Sequence, residues 1–595
     1  MPGSVVTSTD AESQAASAAT ADVSLLASLN DAQREAALAL VGPVCILAGA
    51  GTGKTRTITH RIAYGIRSGV YDPSRVLALT FTSKAAGELR GRLRDLGASG
   101  VAARTFHAAA LSQLGFFWPH TVGGPAPAIV KGKGRLIAES GERIGLRLDP
   151  AGVRDMATEI EWRKVRELSL EEYAIQLRTS RSLPKGVSDD AALALLQAYE
   201  DIKDERRQMD FEDVLLATVG MLELEPWVTQ RVREQYRFFV VDEYQDVSPL
   251  QQRLLQLWLG ERRELCVVGD AAQTIYSFAG ASSSFLTGFP ERYPDARVVR
   301  LEDNYRSSSA IIGVANEVAR HVPYALTLEP AAETPRREPL PEVLQFHDDD
   351  DEARGVVHRI GEDLRSGIPI ESIAVLYRTN VQAAAIERAL QDAGIAYSAI
   401  GQRRFFEQPE VRQALSALRA AVMQETEGPL FQAVSDVLRD LGWTHEPPAD
   451  SGALRDRWNS WDALLRLADA QPHGTKLAEF SAELQQRAKM QYEPELRAVT
   501  LSSIHAAKGL EWDSVTIIGV SEGLLPIWYA ESQAELDEER RLLYVAVTRA
   551  RKRLRLTHAQ FGGRRDAERP ASRFLAELGT RIRRGTNGAF GGSRR

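Results

Sequence analysis

The sequence predicts an α/β fold built on parallel sheets, in two strand-and-helix regions that are each interrupted by a mainly helical stretch. The apolar run 44–48 is typical of a buried parallel strand, and it leads through a glycine-rich loop into a helical pattern. Strand and helix patterns alternate from residue 25 to about residue 110, and a second alternating region begins near Leu301. Residues 111–210 lose the strand signals and continue as amphipathic helical patterns, which indicates an insertion.

The glycine-rich loop, Ala48-Gly-Ala-Gly-Thr-Gly-Lys-Thr55, joins the first strand to the following helix. Glycines in such a loop let backbone N–H groups approach a phosphate closely, and the helix N-terminus adds its partial positive charge. We expect Lys54 to reach the β- and γ-phosphates and the Thr55 hydroxyl to ligate Mg²⁺. The usual pattern opens with glycine, whereas this chain has Ala48. The loop predicts a site for a nucleoside triphosphate.

Two carboxylates that follow a second apolar strand predict the other half of this site. Residues 238–241 are Phe-Phe-Val-Val, and Asp242 and Glu243 come directly after them. In P-loop proteins a second strand supplies, at its carboxyl end, an Asp that holds Mg²⁺. We expect Asp242 to play this part and Glu243 to orient and deprotonate the attacking water. A solvated acidic turn is the alternative, and the phosphate loop argues against it.

The helical stretch 111–210 and the region after Leu301 contain further local signals. Ser188 has the character of an N-cap for a helix that extends to Arg206. In the second region a strand is predicted at 373–377, followed by a helix through Leu390.

Helical patterns return around residue 406 and continue to about residue 496, after which a strand at 499–503 resumes the second sheet. The first 24 residues are rich in Ser, Ala and Thr, and residues 579–595 end in a Gly/Arg-rich run. Neither terminus shows periodicity, so we predict a disordered leader and a basic flexible tail.

Composition limits the classes of function. The chain has 73 Lys and Arg against 80 Asp and Glu, a net charge of −7, so any contact with nucleic acid depends on a local groove. Cys45 and Cys266 lie in apolar strands, which is typical of core residues in a reducing compartment. No apolar run approaches the ~18 residues of a membrane span, and no CxxC pair suggests zinc. We expect a cytoplasmic protein that binds no membrane.

More motifs accompany the loop and the carboxylates. In chain order they are Leu29-Asn30-Asp-Ala-Gln33, Thr80-Phe-Thr-Ser-Lys84-Ala-Ala, Thr105-Phe-His107, Gly269-Asp-Ala-Ala-Gln273-Thr-Ile-Tyr276-Ser-Phe278-Ala-Gly-Ala281, Asn304-Tyr-Arg306-Ser, Ile504-His505-Ala-Ala-Lys508-Gly-Leu-Glu511 and Glu539-Arg-Arg-Leu-Leu-Tyr544-Val-Ala-Val-Thr-Arg549-Ala. With the phosphate loop and Asp242-Glu-Tyr-Gln-Asp246, this series resembles the UvrD/PcrA/Rep family of superfamily 1 DNA helicases. The resemblance runs from about Leu25 to Phe574. The short second insertion and the Tyr276-Ser-Phe278 motif are most similar to the second UvrD-like paralogue of G+C-rich bacteria.

The resemblance implies two RecA-like P-loop domains, each with a mainly helical insertion. The implied divisions are a leader (1–24), a first domain (25–110 and 211–300) with its insertion (111–210), a second domain (301–405 and 497–578) with a shortened insertion (406–496), and a tail (579–595).

The resemblance also implies the nucleotide site. Gln33 and Tyr305 would hold adenine, and Gln273 would sense the γ-phosphate. Arg306 and Arg549 would act as arginine fingers from the second domain, with surface ion pairing as the alternative. The implied catalytic residues are Lys54, Asp242, Glu243, Gln273, Arg306 and Arg549. The implied ATP-binding residues are Gln33, Ala48, Gly49, Ala50, Gly51, Thr52, Gly53, Lys54, Thr55, Arg56, Tyr305 and Glu511, with Thr55 and Asp242 on Mg²⁺.

Single-stranded DNA is the implied partner, including junctions of single and double strands. Phe81, Tyr276 and Phe278 match stacking positions of the family, because bases stack on aromatic rings. The implied backbone contacts are Thr105, His107, Arg378, Asn380 and His505. Core positions remain the alternative for Phe81, Phe278 and His107.

The chain departs from the family in this DNA-facing motif. Ala271 and Ala272 replace acidic residues, Ala279 stands where arginine is usual, and Phe278 replaces a frequent tryptophan. These changes affect the grip on bases and leave the ATP residues intact.

The implied activity is that of an ATP-dependent DNA helicase that moves 3′ to 5′ on single strands in DNA repair or replication. An alternative is a single-strand translocase that displaces proteins and unwinds only with a partner. A non-enzymatic scaffold is disfavoured by the intact Lys54, Asp242 and Glu243, and RNA stays open as a substrate. Repair proteins are expected partners, and the chain is expected to act as a monomer or a DNA-induced dimer.

Overall fold

The computed structural model describes residues 25–179, 183, 186–331, 339–400, 405–423, 428–446, 453–472, 474–490, 497–562 and 567–586. The chain divides into two compact units. Of the described residues, those up to 48 and those within 53–301 form the first unit, and those within 49–52 and from 302 onwards form the second. The predicted leader (1–24) lies outside the described residues.

The first unit is built on a parallel sheet. Its described strands are β1 (Val44–Ala48), β2 (Val76–Thr80), β3 (Ala102–Thr105), β4 (Ala128–Ile129), β5 (Gln208–Met209), β6 (Phe238–Val241), β7 (Leu265–Gly269) and β8 (Arg297–Leu301). Six of them form one sheet in the order β3-β2-β6-β7-β1-β8, in which every pairing is parallel, while β4 and β5 pair with each other. The predicted strand at 44–48 is confirmed.

Both faces of this sheet are covered. Successive residues of β1 point to opposite sides, so Cys45 joins one apolar core while Val44 and Ile46 join the other. The same alternation places Leu77 in the first core and Ala78 in the second. Continuous apolar strands such as Phe238–Val241 are therefore required, because a parallel sheet that is covered on both sides has no solvent-facing surface.

Helices of the first unit flank the sheet and form the insertion. They are α1 (Asp31–Leu38), α2 (Lys54–Arg67), α3 (Ser83–Asp95), α4 (Phe106–Thr121), α5 (Lys133–Arg143), α6 (Pro150–Val165), α7 (Leu170–Thr179), α8 (Asp189–Glu205), α9 (Phe211–Leu224), α10 (Pro226–Gln235), α11 (Pro249–Leu259), α12 (Ser284–Thr287) and α13 (Phe289–Arg292). Helices α5 to α8 share a core that includes Ile137, Ile160, Tyr173 and Leu196. The predicted cap Ser188 is confirmed: its side chain accepts from the Ala191 N–H at 3.2 Å.

The second unit contains a second parallel sheet. Its described strands are β9 (Asp303–Asn304), β10 (Glu329–Pro330), β11 (Glu342–Phe346), β12 (Ile373–Tyr377), β13 (Tyr397–Ala399), β14 (Val499–Ser503), β15 (Trp512–Ile517), β16 (Ala550–Ala559), β17 (Phe561–Gly562), β18 (Ala567–Glu568) and β19 (Arg583–Thr586). Seven form a sheet in the order β13-β14-β12-β15-β16-β11-β19. The predicted strands at 373–377 and 499–503 are confirmed, and the fold class is confirmed with them.

Four helices of the second unit pack around an apolar core of their own. The described helices of this unit are α14 (Ser309–Ala319), α15 (Asp349–Arg365), α16 (Ala383–Asp392), α17 (Pro409–Met423), α18 (Leu430–Asp440), α19 (Ala453–Asp469), α20 (Leu477–Met490), α21 (Gln533–Val547) and α22 (Arg573–Glu577). Helices α17 to α20 pack around their own apolar core, which includes Leu418, Leu438 and Phe480. None of the described helices is long and apolar enough to cross a membrane.

The predicted flexible tail from residue 579 needs a correction. Residues 579–581 form a 3₁₀ turn, and β19 pairs in parallel with β11 at the edge of the second sheet. The Arg583 N–H donates to the Pro341 carbonyl at 2.8 Å, and the Arg583 guanidinium pairs with Glu342. Pairing with an open strand edge satisfies backbone groups whatever the local composition, which is why a Gly/Arg-rich sequence concealed it. Residues 587–595 lie outside the described residues.

Candidate nucleotide and DNA site

The phosphate loop depends on glycines at two positions with positive φ. Gly53 has φ +82°, and a Cβ there would lie 2.7 Å from the Gln33 Nε2 atom. Gly51 has φ +72°, and a Cβ there would lie 2.7 Å from the Asn304 Nδ2 atom. A side chain would be conformationally strained at both positions, and at Gly51 it would also lie 2.8 Å from the Arg306 Cβ atom. Helix α2 begins at Lys54 directly after this loop, so its free N–H groups face the predicted phosphate position.

Lys54 lies among carboxylates of the first unit. Its Nζ atom is 3.1 Å from the Glu243 Oε1 atom, and the lysine side chain is only 13% exposed. Burial alone would lower the pKa of Lys54, but the charges of Glu243, Asp270 and Asp242 outweigh it and raise that pKa. The ammonium group therefore remains charged, as a group that neutralises phosphate must be.

The carboxylates come from the ends of neighbouring strands. Asp242 follows β6, and Asp270 follows β7, which lies between β6 and β1 in the sheet. Burial and then the charge of Glu243 raise the pKa of Asp242 to about 7, and burial raises the pKa of Asp270. A buried carboxyl group is costly to ionise by itself, and a cation beside it stabilises the ionised form. Both carboxyl groups therefore suit a position next to a cation.

Glu243 has a backbone conformation that is uncommon for its residue type. Its φ is +52°, in the left-handed region, and its N–H donates to the Asp242 Oδ1 atom at 3.0 Å. Such strain persists only where the surroundings enforce it, and it occurs often at functional sites. In this case it turns the carboxylate towards Lys54.

Gln273 completes what we call the Lys54 cluster: Lys54, Asp242, Glu243, Asp270 and Gln273. The Gln273 Nε2 atom donates to the Asp270 Oδ2 atom at 2.7 Å, and Gln273 is 3% exposed. Sequence reasoning did not assign Asp270. Its signal was the same as that of Asp242, an acidic residue at the carboxyl end of a buried strand.

The residues predicted to hold Mg²⁺ fit that role. The hydroxyls of Thr57 and Thr59 donate to carbonyls of the preceding turn, whereas the Thr55 hydroxyl donates to none among the described residues. No group of three or more His, Cys, Asp or Glu side chains in the described part of the chain could hold a metal ion by itself. A Mg²⁺ ion on Thr55 and Asp242 would therefore take its remaining ligands from phosphate and water, as is usual for this ion.

Asn304 is a site residue of the second unit that sequence reasoning quoted within a motif but did not assign. Its Nδ2 atom donates to the Ala50 carbonyl at 2.7 Å, and its Oδ1 atom accepts from the N–H groups of Arg306 at 2.9 Å and Ser307 at 2.8 Å. The Tyr305 N–H donates to the Gly51 carbonyl at 3.0 Å. Residues 304 and 305 thus hold the backbone of loop residues 49–52.

The two predicted arginine fingers lie near each other in the second unit. Arg306 pairs with Glu511, and its Nη1 atom donates to the carbonyl of Thr548, the residue before Arg549, at 3.2 Å. Arg549 is 2% exposed and donates to the Val545 carbonyl at 3.0 Å. Glu511, the ion-pair partner of Arg306, is itself a predicted ATP-binding residue.

The predicted adenine-side residues are placed by local contacts. Gln33 is 2% exposed and forms a capping box with Asn30, in which the Gln33 N–H donates to the Asn30 Oδ1 atom at 2.8 Å. The Arg56 guanidinium donates to the Ser28 carbonyl at 2.8 Å. Tyr305 is 46% exposed.

Three predicted stacking residues come together in the first unit, and we call them the aromatic cluster: Phe81, Tyr276 and Phe278. The rings of Phe81 and Tyr276 are stacked with centroids 5.2 Å apart, and those of Tyr276 and Phe278 meet edge to face at 6.2 Å. Phe81 is 43% exposed and Phe278 is 48% exposed. This exposure argues against a core position for both rings.

The segment that carries Tyr276 and Phe278 forms a turn and not an extended strand. Residues 277–279 form a 3₁₀ turn that ends at Gly280, which has φ +91°. A Cβ on Gly280 would lie 2.4 Å from the Val165 Cγ2 atom at the end of α6. The turn is therefore packed closely against the helical insertion.

The residues that are predicted to contact the DNA backbone lie in different surroundings. The Thr105 hydroxyl caps α4 by accepting from the Ala108 N–H at 3.1 Å. Burial, with the charge of Lys133, lowers the pKa of His107 to about 4. Burial, with Arg378 and Lys508 nearby, lowers the pKa of His505 to about 4. Both imidazoles are therefore neutral at pH 7 and can offer hydrogen bonds but no charge.

Arg378 and Asn380 follow β12 in the second unit. Arg378 forms an ion pair with Glu539, with 2.8 Å between the Nη2 and Oε1 atoms. Asn380 begins an exposed 3₁₀ turn.

Comparison with known proteins agrees with these motifs. The model of the UvrD/REP helicase N-terminal domain matches residues 29–294, and that of the UvrD-like helicase C-terminal domain matches residues 299–446 and 462–560. The chain belongs to the UvrD-like helicase family. The family resemblance of the motif series is therefore confirmed.

Individual UvrD-like relatives are similar over most of their length. The ATP-dependent DNA helicase UvrD2 of Mycobacterium tuberculosis is 44% identical over 583 residues, which cover 94% of this chain and 83% of that protein. The ATP-dependent DNA helicase PcrA of Leuconostoc citreum is 28% identical, with 92% and 84% covered. PcrA of Staphylococcus epidermidis is 26% identical, with 93% and 87% covered.

Proposed function

We propose that this UvrD-like protein is an ATP-dependent DNA helicase that moves 3′ to 5′ on single-stranded DNA in DNA repair or replication. The observation that carries the proposal is the Lys54 cluster, in which a buried ammonium group lies 3.1 Å from the carboxylate of Glu243. Its relatives UvrD2 and PcrA are ATP-dependent DNA helicases by name, which supports the same activity. Cytoplasmic location and action as a monomer or a DNA-induced dimer are parts of this proposal.

We assign separate parts of phosphoryl transfer to the residues of the cluster. Lys54 binds the β- and γ-phosphates, and Glu243 orients the attacking water and accepts its proton. Mg²⁺, when bound by Thr55 and Asp242, supplies charge neutralisation on the phosphates. Gln273 responds to the γ-phosphate, and Arg306 and Arg549 stabilise charge that develops in the transition state.

DNA binding is assigned to the aromatic cluster and to polar residues of both units. Exposed rings can stack with unpaired bases, and each stacked base contributes about 1–3 kcal/mol. Thr105, His107, Arg378, Asn380 and His505 are the proposed backbone contacts. The missing arginine at Ala279 favours a second candidate function, a translocase that displaces proteins and unwinds only with a repair-protein partner.

The test uses wild-type protein with single strands and with forked duplexes. ATP turnover is measured with single-stranded DNA, single-stranded RNA and neither, and unwinding is measured on forked duplexes with a 3′ or a 5′ tail. We expect stimulation by DNA above that by RNA, and unwinding of the 3′-tailed substrate. Stimulation of ATP turnover without unwinding supports the translocase. ATP turnover that is the same with and without nucleic acid contradicts both candidate functions.

The residue changes in the DNA-facing motif lead to a prediction of a moderate effect on DNA affinity. Phe278→Ala is expected to weaken binding of single-stranded DNA by roughly 1–3 kcal/mol, because a stacking surface is lost. Ala279→Arg is expected to tighten binding and to steepen its dependence on salt by about one phosphate contact. Affinities measured across a salt series check both results.

Phe116→Ala is the matched control, because Phe116 is a 65% exposed ring on α4 outside the aromatic cluster. It should leave DNA affinity as in the wild type. If Phe278→Ala binds DNA normally but unfolds at a lower temperature, the ring serves the core and not the DNA.

A further inference from the structure

A buried ion pair in the second unit joins the end of β12 to the middle of α21. Glu539 is 3% exposed, and its Oε1 atom accepts from the Arg378 Nε atom at 3.0 Å and from the Nη2 atom at 2.8 Å. Its Oε2 atom accepts from the same Nε atom at 3.2 Å. A carboxylate and a guanidinium that meet at several points fix each other in orientation as well as position. Helix α21 is therefore held directly to the residue that follows β12.

Glu539 also holds a segment that exposes two aromatic rings. Its Oε2 atom accepts from the Ile527 N–H at 3.1 Å. Trp528 and Tyr529, which follow, are 71% and 51% exposed, and the Tyr529 hydroxyl lies 3.5 Å from the Arg378 Nη2 atom. The Glu539 carboxylate therefore accepts hydrogen bonds both from Arg378 and from the segment that carries Trp528 and Tyr529.

Arg378 has one amino group left for a ligand. Its Nε and Nη2 atoms are used by Glu539 and Tyr529, whereas its Nη1 atom donates to no residue among those described. A DNA phosphate can therefore bind Nη1 while the pair with Glu539 stays intact.

The other end of α21 leads to Arg549. The helix ends at Val547, and the Arg549 Nε atom donates to the Val545 carbonyl in its last turn at 3.0 Å. The Arg549 Nη1 atom donates to the Leu510 carbonyl at 3.1 Å. Because this guanidinium is bonded to the end of the helix, a shift of α21 also shifts Arg549.

Resting on the proposed function, we propose that Glu539 is a positioning residue that couples single-stranded DNA at Arg378 to the placement of Arg549 during ATP hydrolysis. In this scheme, DNA bound at Arg378 fixes the position of the guanidinium. The Glu539 carboxylate, which is bonded to that guanidinium, then fixes the position of α21, and the end of this helix determines where Arg549 lies. Glu539 itself touches neither DNA nor nucleotide in this scheme. Its effect should therefore fall on stimulated turnover and not on the affinity for DNA.

The test is Glu539→Gln, which keeps the shape of the side chain and an acceptor for Ile527 but removes the charge. We expect ATP turnover at saturating single-stranded DNA to fall roughly ten- to hundredfold, the equivalent of one lost hydrogen bond to a charged group. The DNA concentration that gives half-maximal stimulation should change far less. Glu539→Asp, which keeps the charge, should recover part of the turnover.

Asp363→Asn is the matched control. Asp363 is a fully buried carboxylate of the same unit, and its Oδ2 atom lies 2.7 Å from the Arg555 Nη1 atom. It should lower the unfolding temperature, as Glu539→Gln should, but leave the ratio of stimulated to DNA-free turnover as in the wild type. An equal loss of that ratio in both variants would show general destabilisation and overturn the proposal.

Further outcomes also decide the proposal. If Glu539→Gln keeps full stimulation, or loses only DNA affinity, the coupling role is wrong. If that variant does not fold, Arg378→Lys replaces it: one cation remains for phosphate, but the multipoint grip on Glu539 is lost. Stimulated turnover should then fall while the salt dependence of DNA binding persists, and unchanged turnover overturns the proposal. Wild-type turnover that DNA does not stimulate would instead contradict the proposed function itself.

Discussion

Lys54→Ala is expected to abolish DNA-stimulated ATP hydrolysis. The substitution removes the only lysine of the Lys54 cluster and leaves the carboxylates of Glu243, Asp242 and Asp270 without the cation that offsets them. Phosphates would then meet uncompensated negative charge, so nucleotide affinity should fall together with turnover. Steady-state ATPase kinetics and a nucleotide-binding titration measure the two losses.

Glu243→Gln separates chemistry from binding at the same place. The glutamine keeps the size of the side chain but cannot accept the proton of the attacking water. We expect turnover to be lost while ATP still binds, because Lys54 and the phosphate loop remain. Turnover within about tenfold of the wild type, in this variant or in Lys54→Ala, would contradict the assignment.

Lys203→Ala is a useful control for both variants. Lys203 is a buried lysine, only 2% exposed, that pairs with Glu200 at 2.7 Å in the helical insertion. Its loss should reduce stability, because the carboxylates of Glu200, Asp210 and Asp213 each lose one of their cations, and should spare ATP turnover. Thermal unfolding recorded for each variant distinguishes loss of the fold from loss of the site.

Arg549→Ala is expected to lower turnover far more than nucleotide affinity. An arginine that stabilises charge developing in the transition state can contribute roughly 10³–10⁵ in rate, and little of this is realised in the ground state. Nucleotide titration beside steady-state kinetics gives both quantities. An equal loss in affinity and rate would indicate simple ground-state binding.

Arg549 also has a structural share that the experiment must separate. Its guanidinium donates to the carbonyls of Val545 and Leu510, and alanine would leave both acceptors without this donor. Arg549→Lys keeps the charge but not the planar fork, so it should recover stability better than turnover. If lysine restores turnover fully, charge alone is sufficient at this position.

Local signals predicted the central parts of the fold well. The strands at 44–48 and 373–377 are fixed by short apolar runs, the strand at 499–503 begins with the alternating sequence Val-Thr-Leu, and Ser188 is fixed by the chemistry of an N-cap. These features depend on residues adjacent in sequence. The carboxylate positions of Asp242 and Glu243 could be predicted for the same reason, since they follow a buried strand.

Features that depend on distant partners were not accessible. The turn at 277–279 is packed against Val165, and the strand β19 forms because the edge of β11 is open. Asn304 was visible within a motif, but its hydrogen bond to the Ala50 carbonyl joins residues 254 positions apart. The role of Asp270 likewise emerges only when the strand order brings β6, β7 and β1 together.

The contact between Gly280 and Val165 has a consequence for how DNA affinity can evolve. The insertion has its own apolar core, so its helices can accumulate substitutions without disturbing the ATP-hydrolysing sheet. Each small displacement of α6 would nevertheless be passed to the turn that carries Phe278, because no side chain at position 280 cushions the contact. If Phe278 stacks on bases as proposed, selection could therefore adjust the strength of that stacking through residues of the insertion, while the proposed DNA contacts stay the same.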